Sequence, residues 1–364
     1  MSLDTTDLEL LIILQEKPMA NDSTLARLTG LSSPTVKRRI DRLSEVKAIE
    51  RIQALIDYHK IDLQIVSAFL QIPFTNLDKI SSLLNKYPYI YYQVRSFGKQ
   101  NGIHATFRIP EKGLPLLEQY FKRLVSLKLI KNYIIINHDN TIEQRTKPRF
   151  IVYNSKENKW DFDFLKWVDV PTERLYRGID EEFTVNHSQT PGLEELDNID
   201  IEILSILSLN SRIKNVDIID QLSTSISPQR LSDRLRYLKK YFIGNYRVYL
   251  NWDEIFNFQG YVFVCYCDDE IKKYFTVLLK FRPPPFETTF REFKEGFTLH
   301  VICPGKHMLD LINVLDSKVD LFDIYILDYK SSKRYHLNSN SFDVTKKYWK
   351  FGSDFLLHDQ LFTD

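Results

Sequence analysis

The sequence predicts an α+β protein in which one module, a helical segment followed by a βαββαβ domain, occurs twice in tandem. The first observation is a repeated motif: Leu3-Asp4-x-x-Asp7 returns as Leu196-Asp197-x-x-Asp200, 193 positions later (196 − 3). The second is that landmarks such as Gly102 and Gly296 keep nearly the same offset, 194 (296 − 102). Such a period is far too long for a solenoid unit, so we infer duplication of a whole module.

The composition is that of an ordinary soluble globular protein. The 364 residues suffice for two to four domains, with 43% hydrophobic and 27% charged residues. No stretch has about 18 uninterrupted apolar residues, and the acidic start lacks the basic region of a signal peptide. These features predict a cytoplasmic protein with no membrane partner. Because the net charge is only +1, any nucleic-acid binding would come from local basic patches.

The cysteines predict neither a metal site nor a disulfide framework. Cys265, Cys267 and Cys303 are odd in number and form no CxxC pair with a nearby His cluster. Reduced thiols in the core are the better interpretation. We expect no cofactor and no metal.

Residues 1–62 predict a winged helix-turn-helix domain. Apolar residues at helical spacing indicate the first helix, and Gly30 marks the tight turn before the last. Ser33 as N-cap and Pro34 as first residue are a favoured start for the third helix. Alternation over residues 48–57 predicts a hairpin that would form the wing.

The third helix carries a basic face that we predict to contact DNA. When such a helix enters the major groove, Arg and Lys pair with guanine edges, and Ser and Thr with several bases. Further basic residues and the helix N-terminus hold phosphates. The alternative is a solvated basic face with no ligand. The predicted DNA-binding residues are Ser33, Thr35, Lys37, Arg38, Arg39 and Arg42.

Residues 196–257 predict a second winged helix-turn-helix domain, similar to the first but not equivalent to it. Its apolar stripe is displaced by one residue relative to Pro228. With the stripes superposed, Asp233 takes the place of Arg38, and a carboxylate repels phosphate but accepts a hydrogen bond from cytosine N4. Either this copy reads a different sequence or it has weakened as a DNA reader. Its predicted DNA-binding residues are Gln229, Arg230, Arg234, Arg236 and Lys240.

Residues 63–138 and 258–331 predict two α/β domains. In each, alternating segments indicate four strands and helical periodicity indicates two helices. The order βαββαβ is that of the ferredoxin-like split motif, and it recurs at the same spacing in the second half.

These features resemble the Lrp/AsnC (feast/famine) regulators of bacteria and archaea. The resemblance rests on Leu3-Asp4-x-x-Asp7, on residues 32–43 of the third helix and on the βαββαβ order that follows. It covers nearly all of both halves except the segments after the α/β domains. It implies α/β domains of the Lrp/AsnC ligand-binding type, sequence-specific transcriptional control and nucleoid association. Because sheets of that family pair in dimers, the duplicated chain would form an intramolecular pseudodimer, with higher homo-oligomers also open.

The resemblance also implies an effector pocket at the first β-hairpin. Many members of the family bind an amino acid there, so Gly98, Asn101 and Gly102 are candidate effector-binding residues, with an amino acid-like small molecule as partner. Asn101 stands where the family usually carries an aspartate, and the second half lacks the leading glycine. The alternative is a turn that needs glycine for its backbone conformation.

Two segments fall outside the repeated domains. Residues 139–195 join the halves and residues 332–364 end the chain, and both are rich in Trp, Phe and Tyr. Aromatic residues at this density favour arms that pack on a domain over a flexible tether. A protein-docking stripe is the alternative. The loosest joint is expected at residues 188–193.

The main functional hypothesis is a double-stranded DNA-binding transcriptional regulator, not an enzyme, acting as a one-chain pseudodimer on an asymmetric site. One alternative is an enzyme: siroheme decarboxylases resemble fused or paired Lrp-like units, but their tetrapyrrole pocket needs His and Arg, and His104 is isolated here. A second alternative is a protein-interaction scaffold that has lost DNA binding. No catalytic motif stands out in the sequence.

Overall fold

The computed structural model describes residues 3–154, 157, 159–170 and 191–362, without the side chains of residues 140–142 and 151. These residues form two compact units. Unit 1 comprises Met1–Glu50, Thr141–Ser188 and Leu250–Tyr329. Unit 2 comprises Arg51–Asn140, Gln189–Tyr249 and Lys330–Asp364. The predicted joint at 188–193 lies partly outside the described residues.

The helices and strands alternate in two similar series. The helices are α1 (Thr5–Glu16), α2 (Asp22–Thr29), α3 (Ser33–Glu45), α4 (Leu77–Lys86), α5 (Leu114–Ser126), α6 (Phe164–Val168), α7 (Asn198–Leu207), α8 (Asn215–Gln221), α9 (Pro228–Tyr241), α10 (Trp252–Phe256), α11 (Asp269–Phe281), α12 (Lys306–Asp316) and α13 (Ser353–Leu356). The strands are β1 (Ile49–Ile56), β2 (Gln64–Gln71), β3 (Ile90–Gly98), β4 (Gly102–Ile109), β5 (Asn132–Thr146), β6 (Tyr153–Asn154), β7 (Lys159–Trp160), β8 (Ile243–Leu250), β9 (Gln259–Tyr266), β10 (Glu287–Phe293), β11 (Gly296–Cys303), β12 (Leu321–Arg334), β13 (Phe342–Asp343) and β14 (Tyr348–Trp349).

The first three helices begin and end where local chemistry dictates. Asp4 and Asp7 form a capping box at the start of α1, each side chain accepting the other's backbone N–H. Gly30 ends α2 in the left-handed conformation, with φ of 71°. The N-cap of α3 is Ser32, one residue before the predicted Ser33, and Pro34 lies in the first turn. Val36 and Leu43 are buried beneath α3.

The predicted pair of separate ferredoxin-like sheets is wrong. The strands are hydrogen-bonded in the order β10-β11-β9-β12-β3-β4-β2-β5, which closes into one eight-stranded barrel. The difference arises from β5 and β12, which have 15 and 14 residues and run well beyond the predicted strands. A closed order leaves no strand edge with unpaired backbone groups. Periodicity within one segment does not reveal such long-range pairing.

The prediction of two winged helix-turn-helix domains is also wrong. The expected wing at 48–57 is not a hairpin but the single strand β1, which pairs with β8 in a two-stranded sheet. In the second helical segment no tight glycine turn links α8 to α9. Leu222 leaves α8 in an extended conformation, and α9 begins only at Pro228.

Two glycines of the repeat are required by close approach of neighbouring strands. A Cβ atom on Gly102 would lie 2.2 Å from the carbonyl oxygen of Leu70. One on Gly296 would lie 1.9 Å from that of Cys265. Both distances are far below van der Waals contact, so any side chain would push the strands apart. The offset of 194 in the sequence therefore marks the same steric constraint in each unit.

Both aromatic arms contribute buried residues. In unit 2, Trp349 is buried and its indole donates to the carbonyl of Ile61 at 2.5 Å. In unit 1, Trp160, Phe164 and Trp167 are buried, and Phe164 stacks on Phe286 with ring centroids 5.9 Å apart. These contacts favour structural packing for both arms.

Two cysteine thiols have raised pKa values. Burial raises the pKa of Cys303 to about 12, and burial together with Asp268 raises that of Cys267 to about 11. Both thiols are therefore protonated at neutral pH.

Among the described residues there is no group of three or more metal-ligating side chains, and no helix is long and apolar enough to cross a bilayer.

His307 lies where the first arm packs in unit 1. Its ring centroid is 5.3 Å from that of Phe286 and 6.2 Å from that of Phe164. Burial lowers the pKa of His307 below its ordinary value of 6.5, and neighbouring Lys306 lowers it further, against an opposing effect of Asp310. The neutral ring is thus the form that the folded protein prefers.

Stability should therefore fall as the pH drops through about 6.5, because the unfolded chain takes up the proton before the folded one. We expect His307→Gln to lose less stability than the native protein between about pH 7.5 and pH 5.5. Urea unfolding followed by tryptophan fluorescence measures the difference. Equal losses in the two proteins would contradict this assignment.

Candidate nucleic-acid interface

The N-terminal turn of α3 is held by its cap. The hydroxyl of Ser32 accepts the backbone N–H of Thr35 at 3.3 Å and lies 2.8 Å from the Thr35 hydroxyl. Ser33 and Thr35 are half-buried, whereas Lys37 and Arg38 are exposed. Among the described residues, neither Lys37 nor Arg38 has an ion-pair partner. The first half of α3 therefore presents two cations and a hydroxyl to solvent.

The second half of α3 is tied to α1 by an ion-pair cluster. A guanidinium nitrogen of Arg39 lies 2.7 Å from a carboxylate oxygen of Asp4 and 2.7 Å from one of Asp7. Arg42 pairs with the other oxygen of Asp7, whose side chain is 0% exposed. Burial raises the pKa of Asp4, but the hydrogen bonds from Arg39 and from the backbone of Asp7, together with the charges of Arg39 and Arg42, lower it below its ordinary value. A buried carboxylate needs such partners, since isolation would be costly.

This cluster changes the role of two predicted DNA-binding residues. Arg39 pairs with Asp4 and Asp7, and Arg42 pairs with Asp7, so both residues position α3 against α1. Sequence reasoning did not assign this role to Asp4 and Asp7, although both belong to the repeated Leu-Asp-x-x-Asp motif. The signal that could have revealed it is the spacing of these two acidic residues at the start of α1.

The same tie recurs in unit 2. Arg234 donates to Asp200 at 2.6 Å, and the Asp200 side chain is 0% exposed. Here burial outweighs the hydrogen bond from Arg234, so the pKa of Asp200 is raised. Arg230 lies 3.7 Å from Asp197.

Three further residues predicted on α9 also have neighbours within that helix. Gln229 donates to Asp233 at 3.2 Å, and Arg236 pairs with it at 3.1 Å. The ammonium of Lys240 lies 4.8 Å from the ring of Tyr241. Two of the side chains that were predicted to contact DNA are thus bound to Asp233.

The candidate effector residues make contacts that stabilise the hairpin itself. The side-chain oxygen of Asn101 accepts the backbone N–H of Gly98 at 3.0 Å, which closes the turn. Gly102 is fixed by the close approach of Leu70 described above. These contacts favour the turn alternative, although its glycine requirement comes from packing at Gly102.

Unit 2 also contains a small cavity that the sequence did not indicate. Its empty volume, including space open to solvent, is about 250 Å³. The buried Arg108 guanidinium lies between the rings of Tyr58 and Tyr91, at 4.4 and 4.8 Å. His336 and Trp349 complete the polar and aromatic wall.

Comparisons with known proteins give one domain-level and one chain-length similarity. A family model, the AsnC-type helix-turn-helix domain, matches residues 3–44. No curated protein matches the chain. The solved structure of the siroheme decarboxylase NirDL is 13% identical over 99% of both chains, with a TM-score of 0.54. Its complex with an iron-uroporphyrin III analogue gives 0.53 at the same identity and coverage.

Regulator structures match a smaller share of the chain. An AsnC family transcriptional regulator from Agrobacterium tumefaciens is 23% identical over 36% of this chain and 88% of its own, with a TM-score of 0.32. LrpC from B. subtilis is 18% identical over 37% of this chain and 93% of its own, with a TM-score of 0.33.

The predicted resemblance to Lrp/AsnC proteins is confirmed by the domain at residues 3–44. The helix-turn-helix match does not recur at 196–257, in agreement with the missing glycine turn and wing there. The chain-length similarity to NirDL covers both units, whereas the helix-turn-helix match covers residues 3–44. At 13% identity that similarity shows the fold alone.

The tie between α1 and α3 predicts unequal effects of neighbouring arginines on stability. Arg39→Ala removes the guanidinium shared by Asp4 and Asp7 and should destabilise the protein by about 1–3 kcal/mol. Arg38→Ala removes an exposed side chain and should change stability by less than about 0.5 kcal/mol. Urea unfolding followed by circular dichroism compares the two variants. Equal effects would refute the assignment of Arg39 as a helix tie.

Proposed function

We propose that this protein binds duplex DNA through α3 and acts as a regulator of transcription. The observation that carries the proposal is the exposed first half of α3, with Lys37 and Arg38, within the AsnC-type helix-turn-helix domain. In such domains the N-terminal residues of the last helix contact base edges in the major groove.

Each residue of this surface has a distinct role in the proposal. Arg38 is suited to the edge of a guanine, whose two acceptors match its planar guanidinium. Lys37 and the capped helix N-terminus are suited to phosphates. Thr35 can contact either a base edge or a phosphate, although its hydroxyl already contacts that of Ser32. Arg39 and Arg42 act as positioning residues because they fix the angle of α3 on α1.

Among the described residues, the helix-turn-helix match at residues 3–44 provides one surface for DNA recognition. The residues predicted on α9 therefore have no part in this proposal. Since the net charge is only +1, attraction to DNA depends on the local charges of α3 rather than on a field from the whole protein. Binding would be steeply weakened by salt as counterions return to the DNA.

Affinity for genomic duplex fragments, measured by fluorescence anisotropy at several salt concentrations, tests the proposal. Arg38→Ala should weaken binding to a selected site about 5- to 100-fold, the range of one base contact. Arg38→Lys should lose much of the preference for the selected site, because the compact ammonium of lysine does not replace the forked guanidinium of arginine. Lys37→Ala should weaken all duplexes alike and reduce the salt dependence.

The matched control is Lys159→Ala, a change to an exposed lysine of β7 outside α3. It should leave affinity unchanged. Absence of duplex binding at low salt, or binding that survives Arg38→Ala and Lys37→Ala, would exclude DNA reading by α3.

The second candidate function is chemistry on a siroheme-like tetrapyrrole. It is supported by the similarity to NirDL over 99% of both chains, which spans both units and both arms. The cavity beside Arg108 does not support it, since about 250 Å³ is below the roughly 300–1,000 Å³ of common ligand sites and a tetrapyrrole is a large ligand.

Titration with siroheme discriminates the two candidates. The DNA-binding proposal predicts no saturable change in the Soret band at micromolar protein. A saturable shift that is kept in Arg38→Ala would support the tetrapyrrole candidate instead. Duplex DNA added in parallel shows whether both ligands bind.

A further inference from the structure

Corresponding ends of the two units share a backbone pattern but differ in charge. In unit 2, Ile72 donates to the carbonyl of Asn101 at 3.0 Å, and Lys131 donates to that of Gln71 at 2.8 Å. In unit 1, the backbone N–H of Cys267 donates to the carbonyl of Glu295 at 3.1 Å, and the backbone N–H of Asp320 donates to that of Tyr266 at 3.2 Å. The same two bonds therefore place Lys131 and Asn101 where the other unit has Asp320 and Glu295.

The end of unit 2 combines exposed apolar side chains with cations. Phe74 is 75% exposed, Leu127 is 48% exposed and Phe97 is 39% exposed. The Arg95 guanidinium lies 5.4 Å from the Phe74 ring and 4.8 Å from the Phe97 ring. We call this surface the basic end, formed by Phe74, Arg95, Phe97, Lys99, Leu127, Lys128 and Lys131.

Hydrogen bonds hold the loops of the basic end together. The Asn76 side chain, two residues after Phe74, donates to the carbonyls of Lys128 and Leu129 at 3.4 and 3.1 Å. The hairpin that carries Lys99 is joined to β2 through Ile72. Asp78 is the exposed acid in this neighbourhood, against four cations in the named set. Exposed aromatic residues ringed by one sign of charge are typical of an interaction site.

The corresponding end of unit 1 has the opposite character. We call it the acidic end, formed by Asp268, Asp269, Glu270, Glu295, Asp320 and Leu321. Its five carboxylates are all exposed, and Leu321 is 58% exposed. Lys272 pairs with Asp269 at 2.6 Å, and Lys273, Lys294 and Lys318 are exposed nearby in sequence. The five carboxylates still outnumber these four cations.

We propose that the basic end of one copy of this chain docks on the acidic end of a second copy. Leu321 offers an apolar surface for Phe74 and Leu127, and Lys131 is matched in charge by Asp320 and Glu295. Charges of opposite sign around an apolar centre steer association and fix its register. A contact between two unlike surfaces is heterologous, and identical copies can repeat it.

A second copy is favoured over a single-stranded nucleic acid, which also binds aromatic and basic surfaces. The chain itself carries a surface with the complementary charge and an exposed leucine. Binding of a nucleic acid to the basic end would not explain the acidic end or the exposed Leu321. The inference does not depend on the proposed DNA binding by α3.

Charge reversal and charge exchange test the proposal by sedimentation equilibrium of the full chain without DNA. At low salt the native protein should show a mass above that of the monomer that rises with concentration, and high salt should weaken this association. Lys131→Glu and Asp320→Lys should each weaken self-association about tenfold or more by placing like charges together. The double variant should regain association to within about threefold of the native protein, because the exchanged charges again attract.

Lys346→Glu, an equal change at an exposed lysine outside the basic end, is the control and should have no effect. Circular dichroism verifies that each variant is folded. A native protein that stays monomeric at low salt, or an assembly indifferent to either reversal, would overturn the proposal. A double variant no better than the singles would overturn the pairing of these two ends. Single-stranded oligonucleotide binding lost in Lys131→Glu, without self-association, would assign the surface to nucleic acid.

Discussion

The helix-turn-helix surface depends on one buried carboxylate. Asp7 caps its own helix, accepting the N–H of Asp4 at 3.2 Å, and also pairs with Arg39 and Arg42 of α3. Because its side chain is fully buried, losing these partners would leave a charge without compensation. The pairing fixes α3 against α1, and this arrangement leaves Lys37 and Arg38 directed to solvent.

The recurrence of this tie explains which parts of the duplicated sequence stayed alike. Asp200 and Arg234 repeat the buried pair in unit 2, where the glycine turn and wing are absent. A buried ion pair restricts change at both of its positions, since replacing one partner strands the other. Packing of the helices thus accounts for the shared motif in unit 2 without a shared ligand.

Local features were predictable from the sequence and long-range ones were not. Periodicity and capping residues indicated α1 to α3 and the order of strands and helices, because those signals lie within a few residues of each other. The closing of the barrel depends on extensions of β5 and β12 and on pairing far along the chain. The sequence located the basic helix, but the roles of Arg39 and Arg42 depend on which face of α3 meets α1.

The close strand contacts at Gly102 and Gly296 have a consequence for how the two halves diverged. Neither position admits a side chain, so steric exclusion fixes the hairpin backbone at the same point in both units. The adjacent position carries Asn101 in one unit and Glu295 in the other, so it accommodates side chains of different charge. A sterically fixed glycine beside a position that differs between the units allows the surface chemistry of the two hairpins to differ while their backbone geometry stays the same. The glycines thereby hold the backbone of each hairpin tip in place, while the residues beside them can change and give the two tips different binding specificity.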